Sequence, residues 1–139
     1  MKRRIALGAL SYLVPTFMLG FVWHLVAFHG YYARLAMYRQ DVIIPFGFLS
    51  MILQAVLFAW VLESAFARVG PSIGRRALLF AAFGAVLSWS FTTLAVAAKN
   101  VMTSVPDYVL IESAFTAVQW AVVGPLMAFV SAKLGRTAS

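Results

Sequence analysis

Apolar positions gather in four long runs, at about residues 5–28, 42–66, 77–98 and 108–132. About 20 helical residues at 1.5 Å each cross the ~30 Å hydrocarbon layer of a bilayer, and each run reaches that length. The stretches between them, "HGYYARLAMYRQD", "ARVGPSIGRR" and "KNVMTSVPD", are too short for a soluble domain. The pattern predicts an all-α, integral membrane four-helix bundle, a single transmembrane domain over residues 1–139. Local signals mark the run ends. Pro45 suits an early helical turn, where its missing N–H is not needed. Ser72 is a candidate N-cap, and Ser104 stands three residues before Asp107 in a capping-box spacing. Pro15 and Pro125 lie inside runs, where each removes a hydrogen bond to the carbonyl four residues back, at Ser11 and Ala121.

Composition agrees with lipid as the solvent. Hydrophobic residues make up 63% of the chain and charged residues 11%, against roughly 45–50% and 25% in soluble domains. With no cysteine, the chain has no disulfide, thiolate metal site, iron–sulfur cluster or cysteine nucleophile. The net charge of +7 reads as topology rather than nucleic-acid binding. Lys2, Arg3, Arg4, Arg68, Arg75, Arg76, Lys133 and Arg136 fall on one side of the four runs, and Arg34, Arg39 and Lys99 on the other. The positive-inside rule then predicts a bacterial cytoplasmic (inner) membrane protein with both termini inside. "MKRRIALGALSYLVPTFMLG" has the basic start of a secretory signal. Its apolar run exceeds the roughly 7–15 residues of a signal core, and no A-x-A site follows, so an uncleaved first span is expected.

Phe17 and Trp23 are spaced like Phe83 and Trp89, and Gln54 and Gln119 follow the two tryptophans by 31 and 30 residues. This spacing suggests a tandem repeat of two helical hairpins with Gln54 and Gln119 equivalent. Both glutamines fall near mid-run, where they either bond across the bundle, for roughly 0.6–2 kcal/mol per contact, or line a polar cavity. Glu63 approaches the basic end, within reach of Arg68, Arg75 and Arg76. Glu112 lies one turn into the fourth run, at a depth similar to His24, with Lys99 a candidate partner. A cluster of Trp23, His24, Lys99 and Glu112 is therefore a candidate ligand or proton site, or a structural network. His24 and His29 are five residues apart, about 500° around a helix, so they share no face. A haem or metal held by both within one chain is not expected, and no cofactor is predicted. The connector carries a stripe of Tyr31, Leu35 and Tyr38. Tyr31, Tyr32, Arg34, Tyr38 and Arg39 are expected to anchor it at the headgroups. Small residues such as Ala81, Gly84 and Gly124 suit close packing within the bundle or at a subunit interface.

The arrangement "LGFVWHLVAFHGYYARL" followed by "IIPFGFLSMILQAVLFAW" resembles the first half of small bacterial four-helix inner-membrane families of unknown function, over about residues 17–60. The resemblance implies the same fold and carries no catalytic residues. No Gly-rich phosphate loop, H-E-x-x-H or G-x-S-x-G motif appears. The chain is therefore expected not to be an enzyme. The expected role is a non-catalytic binding or accessory protein in the lipid bilayer, packing as a homo-oligomer or in a larger membrane complex. The alternative is a small-solute transporter or channel with its polar site at Gln54/Gln119 or His24/Glu112. A membrane enzyme using His24 and Glu112 is the third reading.

Overall fold

A computed structural model describes residues 2–39, 41, 43–66, 69 and 72–136, with side chains through Leu134. Regular structure among them is helical throughout. Helix α1 spans Lys2–Ala27, a short α2 His29–Leu35, α3 Ile44–Phe66, α4 Ile73–Ala97 and α5 Val105–Arg136. The four long helices are each long and apolar enough to cross a membrane. Helices α4 and α5 begin earlier than their apolar runs, because polar caps start them. The Ser72 hydroxyl accepts from the Arg75 N–H, and the Ser104 hydroxyl from the Asp107 N–H. Pro45 occupies the first turn of α3.

Successive long helices run antiparallel, so Arg4 near the start of α1 meets Glu63 of α3 and Ser131 of α5 at one end of the bundle. Helix α1 packs on α3 and α5, and α5 packs on α4. Helices α3 and α4 meet chiefly where Leu62–Phe66 reaches α4, through Phe66 on Phe80 and Phe83. Toward the far end they diverge. The polarity is inverted relative to a soluble domain. Leu78, Val86 and Leu110 are about 70% exposed, while Thr16, Glu112, Thr116, Gln119 and Ser131 are buried.

Two packed cores result. Near the termini, Trp120 sits in a cage with Phe58 at 4.8 Å and Phe80 at 5.7 Å, both edge-on, the arrangement that ring quadrupoles favour. At the far end Tyr32, Leu35, Tyr108 and Ile111 form a smaller cluster. The connector helix α2 is tied to it from the α4–α5 loop: Thr103 gives its N–H to the Leu35 carbonyl and its hydroxyl to the Arg34 carbonyl.

Small residues serve the interior. A Cβ on Gly84 would lie 2.1 Å from the Trp120 ring, and one on Gly124 2.5 Å from the Ala81 Cβ. Three stretches widen into π-helix: Phe21–Ala27, Leu62–Phe66 and Ser90–Leu94. Such turns lengthen the hydrogen-bonded ring by one residue and shift the helical phase.

Two expectations are corrected. Glu63 pairs with Arg4 at 2.9 Å and accepts from the Ser131 hydroxyl, not from Arg75 or Arg76; Arg68 lies outside the described residues. Glu63 lies in the wide turn Leu62–Phe66 and points to Arg4 on α1 and Ser131 on α5. The tyrosine stripe ends early, because α2 stops at Leu35 and Ala36 turns left-handed at φ 53°. Tyr38 therefore lies beyond the helix.

Candidate functional site

The site begins on α1, where Tyr12, Thr16, Gly20 and His24 recur every fourth residue on one face. Within the widened last turns, His24 Nδ1 lies 3.0 Å from the Gly20 carbonyl oxygen. Its Nε2 lies 3.2 Å from Glu112 Oε1. The same carboxylate oxygen accepts from the Tyr32 hydroxyl at 2.6 Å. His24 and Glu112 thus meet, as their common depth suggested.

The protonation follows from the contacts. A carbonyl can only accept, so His24 Nδ1 must carry a hydrogen. Nε2 then faces a carboxylate oxygen, and the contact is attractive only with a second proton between the two atoms. A proton at that contact would leave the pair neutral overall, whichever of the two atoms carried it. Tyr32 supplies no ionic alternative. Burial pushes its phenol up, and its hydrogen bond to Glu112 and that group's charge push it further. Glu112 is 6% exposed, so overall neutrality avoids the large cost of an unpaired buried charge. Its second oxygen, Oε2, has no hydrogen-bond partner among the described residues.

Aromatic rings wall the pair. Phe115 presents an edge to His24 at 4.6 Å, and Trp23 packs on Phe28 at 4.5 Å and Phe115 at 5.7 Å. The buried Trp23 Nε1–H lies toward the Tyr32 phenol but closes no hydrogen bond among the described residues. Lys99 does not join the cluster. It sits exposed past the end of α4 and forms no ion pair among the described residues.

At mid-bundle the glutamines bond to α1. Gln54 Oε1 accepts from the Tyr12 hydroxyl at 2.9 Å, and its amide donates to Ser50 at 3.0 Å. Gln119 donates to Thr16 at 3.3 Å. A cavity of about 540 Å³ joins the two regions. Its wall includes His24 and Glu112 at one end, Gln54 and Gln119 at the other, and Ser88 and Thr92 from α4. A second, largely apolar cleft of about 420 Å³ lies between α3 and α4 and shares Gln54, Ser88 and Thr92 with the first. It follows the divergence of those two helices.

The connector residues divide. Tyr31 and Arg34 pair at the surface, with the guanidinium 5.3 Å from the ring, and Arg39 bridges exposed Asp41 at 3.2 Å. Tyr38 is half-exposed and also reaches the cavity wall. Tyr32 is no surface anchor: it is 2% exposed and belongs to the site. The sequence reading missed Tyr12, Thr16 and Tyr32. The four-residue recurrence from Tyr12 to His24 was the signal for the first two.

No protein-family model, curated protein or solved structure matches this chain.

Proposed function

We propose that this chain is a non-catalytic membrane protein that binds a small amphiphile, taken sideways from the bilayer between α3 and α4. The single observation behind it is the continuous cavity that joins the Gln54/Gln119 region to His24/Glu112 and meets the apolar cleft. Its ~540 Å³ lies in the usual size range of small-molecule sites, and its few polar groups sit among apolar walls. The excess of Lys and Arg beside the termini supports a cytoplasmic placement of both, which puts His24 and Glu112 toward the outer leaflet. Tandem hairpin ancestry rests on the tryptophan-to-glutamine spacing. Support for a homo-oligomer or larger complex is thinner, because Gly8, Gly84 and Gly124 all face neighbours inside the bundle.

A dibrominated fatty alcohol, uncharged and single-chained, tests the binding reading by quenching tryptophan in reconstituted protein. Trp60 is half-exposed to lipid, so a Trp60→Phe background removes the non-specific signal. Saturable quenching is expected, and Gly47→Phe, which fills open space at the cavity wall, should remove it. Quenching that never saturates, or that survives Gly47→Phe in full, sinks the proposal. The second reading, small-solute transport, is favoured by the polar groups continuing from the far end to mid-bundle. It requires flux across vesicles that Gly47→Phe blocks.

A further inference from the structure

We infer that the ligand is a lipophilic monovalent cation, and that it exchanges for the proton held between His24 and Glu112. The inference rests on the cavity being a ligand site and specifies the charge of what it takes.

The formal charges on the cavity wall are few. Among the described residues Glu112 is the one carboxylate on that wall and His24 the one basic group, with no Lys or Arg. Tyr32 from α2 and Tyr38 from the connector face Glu112 and hold their protons at neutral pH, because burial and the nearby carboxylate raise both phenols, while the Tyr108 hydroxyl of α5 donates to the Thr92 carbonyl. An anion would meet Glu112 with no counter-charge. A neutral molecule would leave the pair as it stands.

A cation finds two matched features. Glu112 Oε2 has no hydrogen-bond partner among the described residues, and Phe17, Phe21 and Phe115 line the same wall. A carboxylate in an aromatic-lined cavity is a combination that holds an organic cation. Burying that charge requires the site to stay neutral overall. The shared proton must then leave: the N–H or O–H bond between Nε2 and Oε1 breaks and the proton passes to water. One cation in and one proton out keeps the site neutral: the His24–Glu112 pair goes from neutral to singly negative, and the ligand supplies the balancing positive charge.

Departure of the proton also breaks a contact. With Nδ1–H still on the Gly20 carbonyl, Nε2 and Oε1 present lone pairs to each other and separate. If the tautomer reverses, the Gly20 bond is lost instead. Ligand binding therefore alters the wide turn of α1.

The experiment uses purified full-length protein in weakly buffered non-ionic detergent, with tetraphenylphosphonium as probe and tetraphenylborate as the anionic control. Calorimetry and an indicator dye are read together. The expected result is saturable binding of the cation, release of about one proton per cation, and affinity rising about tenfold per pH unit while the unliganded pair keeps its proton. Tetraphenylborate should not bind saturably. Glu112→Gln should lose the proton release and the pH slope. Both are also read on wild-type protein, so a variant that fails to fold leaves the test intact. Cation binding without proton release overturns the exchange. Saturable quenching by the fatty alcohol without cation binding overturns this inference alone. Failure of both probes overturns the binding reading beneath it.

Discussion

Adding one methyl group at Gly84 should damage the terminal core far more than its size suggests. The new Cβ would sit 2.1–2.4 Å from three atoms of the Trp120 ring. The nearest is about 1.4 Å short of an ordinary ~3.5 Å carbon contact. The indole has little room to give. It is 1% exposed, caged by Phe58 and Phe80, and its Nε1 donates to Ser88 at 3.1 Å. Either α4 and α5 separate, or the ring leaves its rotamer and the Ser88 bond is lost. Overpacking of this kind costs about 1–3 kcal/mol, and losing the hydrogen bond adds roughly 1 kcal/mol. We expect Gly84→Ala to destabilise by about 3 kcal/mol. The assay is unfolding in mixed micelles of denaturing and mild detergent, followed by near-UV circular dichroism. A second variant isolates the contact. Trp120→Phe removes the outer part of the indole that the methyl strikes. It is itself destabilising, through the void it leaves and the lost Ser88 bond, yet it should make Gly84→Ala milder. The double variant should be more stable than the sum of the singles by 1 kcal/mol or more, within the ~0.5–3 kcal/mol seen for touching residues. A Gly84→Ala protein within about 0.5 kcal/mol of wild type, or strict additivity, would refute the contact.

Three further outcomes follow from other parts of the bundle. Arg4→Ala should cost about 1–2 kcal/mol in the same assay, at the low end for a charge-assisted pair because the Arg4 side chain is 31% exposed; a neutral result would place Glu63 in water. Ala36→Gly should stabilise by about 1 kcal/mol, since a left-handed conformation at φ 53° strains any residue with a Cβ; a lower midpoint would argue against that conformation. The Tyr32 phenol is raised in the folded state, so the folded protein keeps a proton that the unfolded chain loses near pH 10. Its contribution is complete below that pH and declines as pH rises above it, so Tyr32→Phe should flatten the alkaline fall in stability. Equal alkaline slopes for both proteins would show that Tyr32 ionises freely.

What the sequence made legible was local. Four helices could be counted from run length, and Pro45, Ser72 and Ser104 stand at helix starts because a cap depends on neighbours three residues away. The meeting of His24 with Glu112 also came from local counting, since equal depth on antiparallel helices brings residues to one level. Rotation about the helix axis was not legible. Glu63, in a wide turn, meets Arg4 on α1, a residue far from it in the chain. Tyr32 faces inward from the short helix α2, where it donates to Glu112, a direction that no apolar pattern announces. Lys99 had the right depth for Glu112 but stood past the last turn of its helix, aimed at the surface.

The widened turns have a bearing on how this chain tolerates change in length. Each carries a polar residue: His24 in the first, Glu63 in the second, Thr92 in the third. Deleting one residue from 21–27 would let α1 close into regular α-helix while still covering its thickness of hydrocarbon, yet it would swing His24 roughly 100° away from Glu112. Span length would survive and the His24–Glu112 contact would not. A sequence aligned to this one with a single-residue gap in such a window is therefore expected to have lost the polar partner as well, so the gap marks a change in chemistry within an unchanged fold.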